Sequence, residues 1–113
     1  MDERPAGQSH LPDAAQCYFE GVAAGSAEEV ANCFTSDAVV IDVGRHIEGR
    51  EAIRAWTEEE VIGGVYEVLE VTPRNGGVTM LVTFAPGGTG AFRANYSFDI
   101  EDGFITRADL TYA

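Results

Sequence analysis

Residues 18–42 read YFEGVAAGSAEEVANCFTSDAVVID, and this stretch decides the fold. Leu11, Ala15, Tyr18 and Val22 recur at helical spacing, which predicts a helix over about Pro12–Ala24. Pro12 suits its first turn, Asp13 suits its positive end, and Gly25 ends it. Ser26, with Glu29 three residues on, is a capping-box signature for a second, short helix whose buried stripe is Ala27, Val30, Ala31 and Phe34. Thr35-Ser36-Asp37 breaks that helix. Ala38–Val43 then reads as a strand, because β-branched residues cluster there.

Downstream, Gly44 turns the chain and His46–Glu48 forms a short partner strand. A third helix is expected over about Arg50–Ile62, with Ala52, Ile53 and Trp56 on its inner face, Glu58-Glu59-Glu60 on a solvated face, and Gly63-Gly64 as its stop. The remainder alternates with period two. Val65–Thr72, Val78–Phe84, Ala91–Ile100 and Phe104–Tyr112 are predicted strands, separated by Gly-rich turns that include Asn75-Gly76. Helices first and an antiparallel meander last specify an α+β fold. Three helices pack on one face of a curved sheet to make a cone with an apolar interior. Such an interior is a ready pocket for a small molecule.

The chain has 113 residues, enough for one core. Residues 1–10 read as a flexible leader and 11–113 as a single domain. Nineteen acids oppose seven bases, a net charge of −12, and every base is Arg. The absence of Lys removes Schiff-base chemistry, and the acidity argues against nucleic acid or anionic membrane as a partner. No run approaches the roughly 20 apolar residues of a membrane span, and no signal peptide is evident, so a cytoplasmic location is expected. Cys17 and Cys33 are expected to be buried thiols in a reducing compartment, and His10 and His46 lie too far apart for a metal site.

Among the strand residues Asp42 is the anomaly. Its neighbours are β-branched and apolar, and alternation puts it on the face of Ala38 and Val40. On the concave side, it would be a carboxylate in an apolar cavity, desolvated towards useful base strength. On an edge it would face water or cap the Gly44 turn. Tyr18 lies on the buried stripe of the first helix, where its phenol either braces the helix or donates to a developing oxyanion. Tyr96, the polar member of an apolar strand face, carries the same two readings. Trp56 is core or ligand wall. Tyr66, Tyr112, Met80 and Phe84 read as lining or core, and His46 as a surface residue.

The stretch quoted above resembles the start of the ketosteroid isomerase, or SnoaL-like, branch of the nuclear transport factor 2 (NTF2)-like superfamily. EGREAIRAW (residues 48–56) resembles the opening of that family's third helix, and FDIEDGFITRADL (residues 98–110) its last hairpin. The resemblance implies the NTF2-like cone. It also implies a Tyr on the first helix that donates to a substrate oxygen and an Asp on the first strand that shuttles a proton; Tyr18 and Asp42 match these positions. The neutral acid that completes the site in ketosteroid isomerases falls at Tyr96, so an oxyanion pair of Tyr18 and Tyr96 takes its place. Walls from Val40, Trp56, Met80, Phe84, Phe98, Leu110 and Tyr112 would hold a flat, apolar, carbonyl-containing ligand.

The activity so implied is cofactor-independent proton transfer giving double-bond isomerisation. Relatives with this scaffold also cyclise polyketides by an aldol step, hydrolyse epoxides, or bind without catalysis. The epoxide hydrolase pattern needs an Asp–Arg–Asp set, for which Arg93 and Asp109 are present but expected to face outward. A homodimer through the convex sheet face is implied as well, using the row Thr79, Leu81, Thr83, Arg93, Asn95 and Ser97.

Overall fold

In a computed structural model that describes residues 11–88 and 90–113, the first helix, α1, spans Asp13–Ala23. The expected leader, residues 1–10, lies outside the described residues. Gly25 adopts φ 71°, and its N–H and that of Ser26 bond back to the carbonyls of Val22 and Gly21. This double closure is the Schellman arrangement that a left-handed glycine permits. Ser26 Oγ then accepts the Glu29 N–H at 3.1 Å and starts α2, Ala27–Ala31. At Gly21 a Cβ would press on Val30, so the two helices meet through a missing side chain.

Phe34 was expected on the second helix but is the first residue of β1, Phe34–Asp42. It is fully buried and pairs with Ile105 across the sheet, while its carbonyl accepts two bonds from the Arg50 guanidinium. Helix α2 is too short to hold an aromatic that the sheet can bury more completely. The supposed breaker, Thr35-Ser36-Asp37, is instead an irregularity inside the strand, where the register shifts between Phe34 and Val39. Strand β2, Arg45–Glu48, returns antiparallel through Val43-Gly44, both at positive φ.

Helix α3, Arg50–Trp56, widens into a π-type turn over Thr57–Val61. Buried Thr57 donates its hydroxyl to the Ile53 carbonyl at 2.7 Å, and the Ile62 N–H reaches five residues back to Thr57. Its inner face is Ile53, Trp56, Thr57 and Val61; Ala52, expected there, is exposed. Strands β3 (Val65–Arg74), β4 (Gly77–Ala85), β5 (Phe92–Glu101) and β6 (Phe104–Tyr112) follow as predicted. Their order, β2-β1-β6-β5-β4-β3, is antiparallel throughout except for the parallel β1–β6 pair. The three helices cover one face of this curved, unclosed sheet, and the alternation of β4 and β5 sends Val78, Met80, Val82, Tyr96 and Phe98 into the core. Among the described residues, no helix is long and apolar enough to cross a membrane.

The two cysteines are not free thiols. Cys17 on α1 and Cys33, just before β1, form a disulfide with Cα atoms 6.0 Å apart. The expectation of buried thiols therefore does not hold. Pairing was hidden because it depends on how α1 docks beside the α2–β1 junction. The bond closes a loop with a sequence separation of 16. Loss of that closure costs about 3 kcal/mol in chain-entropy terms, so Cys17→Ser with Cys33→Ser should lower the thermal midpoint by roughly 10–15 °C. Calorimetric scans with and without reductant check this, and a shift of under a few degrees would show that packing alone seats α1.

Candidate functional site

The register places three residues in one row across adjacent strands. Asp42 on β1 is opposite Leu110 on β6, and Leu110 is opposite Tyr96 on β5. Two strand spacings put the Asp42 and Tyr96 backbones ~10 Å apart. Over this row opens a cavity of about 270 Å³, bordered by Asp42, Tyr96 and Leu110 beneath and by Trp56, Glu60 and Val61 of the third helix and its π turn. Val43, Phe92 and Tyr112 form an exposed apolar rim.

Asp42 does face this cavity, yet its surroundings are not apolar. Its side chain is 24% exposed and meets two donors: Trp56 Nε1–H at 3.1 Å and Arg45 Nη2 at 2.7 Å. Both donate to the same oxygen, Oδ2, leaving Oδ1 as the acceptor turned to other uses. Arg45 also holds Glu60 at 2.6 Å, so one guanidinium spans two acids at the mouth. The two acids in turn raise the Arg45 pKa, Glu60 contributing most, and keep it a cation. Glu60 belongs to the run read as a solvated face. It stands four residues from Trp56, a spacing that puts both on one helix side.

Three phenols form a chain through the core. The hydroxyls of Tyr18 and Tyr66 are 2.9 Å apart, and those of Tyr66 and Tyr96 are 2.6 Å apart. Tyr18 is only 1% exposed and does not border the cavity; Tyr96 does. Three hydroxyls carry three protons, and two bonds between them consume two. If Tyr96 donated, the spare proton would sit on Tyr18 or Tyr66, in the closed core. Run from Tyr18 through Tyr66, the chain leaves the spare proton on Tyr96, at the cavity. Burial raises all three pKa values, Tyr96 to about 12 and the other two well above the ordinary tyrosine value. All three are therefore neutral donors at neutral pH.

A phenol whose pKa is raised on folding contributes stability that is fully present below its unfolded value, near 10, and lost as pH rises through the folded value. Above about pH 10 the thermal midpoint should therefore fall with a slope that Tyr96→Phe makes shallower. An identical slope in that variant would detach Tyr96 from the alkaline transition.

Of the expected walls, Trp56, Phe84, Leu110 and Tyr112 border the cavity. Val40, Met80 and Phe98 do not; each is fully buried in the core, Met80 directly opposite Tyr96 in the same row. Tyr66, read only as lining or core, is the central link of the phenol chain. His46 is exposed and lies 3.9 Å from Glu48. Arg93 is exposed, and Asp109 pairs with Arg107 rather than with a cavity group, so an epoxide hydrolase set does not assemble.

A cone of helices on a curved, unclosed sheet places this chain in the NTF2-like class. The model of the SnoaL-like domain matches residues 15–108, and the chain belongs to that family. No curated protein sequence matches it. Among solved structures it is similar to a proposed polyketide cyclase from Sinorhizobium meliloti, at 28% identity and TM-score 0.78, over 89% of this chain and 95% of that one. RV0760c from Mycobacterium tuberculosis, in complex with estradiol-17β-hemisuccinate, shares the fold at 19% identity and TM-score 0.78, over 88% and 91%. So does a computationally designed 17-OHP binder, at 19% identity and TM-score 0.78, over 88% of each chain.

Proposed function

We propose that this protein removes a proton alpha to the carbonyl of a small, flat, apolar compound. Asp42 Oδ1 accepts the proton, and the electron pair of the broken C–H bond moves onto the carbonyl oxygen. That oxygen, now an enolate, accepts the spare O–H of Tyr96, with Tyr66 and Tyr18 behind it. Asp42 then returns the proton further along the ligand, which completes a ketosteroid isomerase-like double-bond shift. The row Asp42–Leu110–Tyr96 beneath a single cavity carries this reading: base and donor stand at opposite ends of a space that a ligand could fill. Tyr18, proposed from sequence as a direct donor, acts here through the phenol chain.

A second fate for the same enolate is attack on another carbonyl of the ligand, closing a ring. The likeness to the Sinorhizobium protein favours it. Binding of steroids by RV0760c and by the designed protein supports an apolar polycyclic or smaller ligand class. Pairing of two copies through the convex face, with Thr79, Leu81, Thr83, Arg93, Asn95 and Ser97, belongs to the same reading.

The common step is testable without the natural substrate. In D2O, 2-tetralone should exchange its alpha protons faster with the protein than with buffer alone, followed by NMR. Binding of 2-tetralone without accelerated exchange would make the domain a non-catalytic ligand carrier.

A further inference from the structure

A second, larger hollow of about 760 Å³ lies between α1 and the start of β3, walled by Phe19, Val22, Ile62, Gly64, Tyr66 and Val68. Val61–Ile62 and the stacked ring pair Phe84–Tyr66 divide it from the cavity over Asp42. Val61 faces the inner space and Ile62, its neighbour, the outer. Phe84 borders the inner space and Tyr66 the outer, and the two are direct partners across β4 and β3 with ring centroids 4.5 Å apart.

The two rings are not equally fixed. Tyr66 is held by hydrogen bonds to Tyr18 and Tyr96. Phe84 has only packing, and its ring reaches the backbone of Gly64, where an added Cβ would overlap it. The inner space is just below the roughly 300–1,000 Å³ typical of ligand pockets, so a change in one wall residue alters what it can hold.

We infer that Phe84 is the end wall that sets ligand length. With its ring in place the site takes compounds of one or two fused rings; without it the cavity lengthens as far as the Tyr66 ring and the Gly64 backbone and admits a longer ring system. The inference rests on the proposed use of the inner cavity as a ligand site. It makes Phe84 a specificity-determining residue, with Gly64 the position that leaves room for its ring.

The test compares 2-naphthol, two rings with one hydroxyl, with estradiol, four rings. Affinities come from calorimetry, and the indole N–H signal of Trp56, the chain's single Trp, reports occupancy of the cavity. The native protein should bind 2-naphthol at least tenfold more tightly than estradiol. Phe84→Ala should shift that ratio at least tenfold towards estradiol. Phe84→Leu, which keeps more of the packing, should shift it the same way by less and serves if the alanine form does not fold. A native protein that binds 2-naphthol, with the same ratio in every folded variant, overturns the end wall alone. Binding of neither probe, with the Trp56 signal unmoved, overturns the ligand site and the end wall with it.

Discussion

Asp42→Asn should slow alpha-proton exchange by on the order of 10³-fold while leaving ligand affinity within a fewfold of native. A positioned general base contributes roughly 10²–10⁴ in rate, and an amide cannot take up the proton. Asparagine keeps the shape, and its carbonyl can still accept from Trp56. The Arg45 contact is partly exposed and loses its charge partner on this side, yet Glu60 still holds the guanidinium. Exposed ion pairs add little to stability, so the fold should survive. Exchange of 2-tetralone and calorimetry with 2-naphthol separate the two effects. If exchange persists in the variant, the base is elsewhere, and Glu60 is the next carboxylate on the cavity wall. If binding disappears as well, the carboxylate was holding the mouth together rather than moving a proton.

What the sequence disclosed about this molecule follows from what is local. Period-two alternation reports a half-buried sheet, and β3 to β6 came through because each strand has one wet and one dry face. Asp42 was visible because an acid is out of place among β-branched residues. Tyr96 was visible because it interrupts an apolar row. Tyr66 had no such contrast: a tyrosine in an edge strand looks like any other, and only the fold brings its hydroxyl between two others. The same holds for Glu60, hidden in an acidic run, and for the Cys17–Cys33 bond, whose partners stand on separate elements. Phe34 shows the reverse case, where a plausible helical stripe yields to the larger burial that the sheet offers. Val40, Met80 and Phe98 have the buried face but no place on the cavity, because which buried residues meet open space depends on how the helices pack over the sheet.

Tyr96→Phe should cost roughly 100-fold in exchange rate, more than the loss of either phenol behind it. One oxyanion donor removed costs about 10²–10³. The change also leaves the Tyr66 proton without its acceptor at 2.6 Å. Tyr18→Phe keeps the last two members of the chain and their direction intact, so it should cost less than about tenfold, through weaker polarisation of the donor. Tyr66→Phe should fall between, because Tyr96 then loses its backing but keeps its own proton. The order matters more than the sizes. A chain that donates from Tyr18 through Tyr66 leaves its spare O–H on Tyr96, the phenol that borders the cavity, and not on Tyr18, which does not. Exchange rates for the three single variants, with 2-naphthol affinity as a control on folding and access, measure the order directly. If Tyr18→Phe is the most damaging, the chain of donors runs the opposite way, and the ligand oxygen sits deeper in the cone than the cavity reaches.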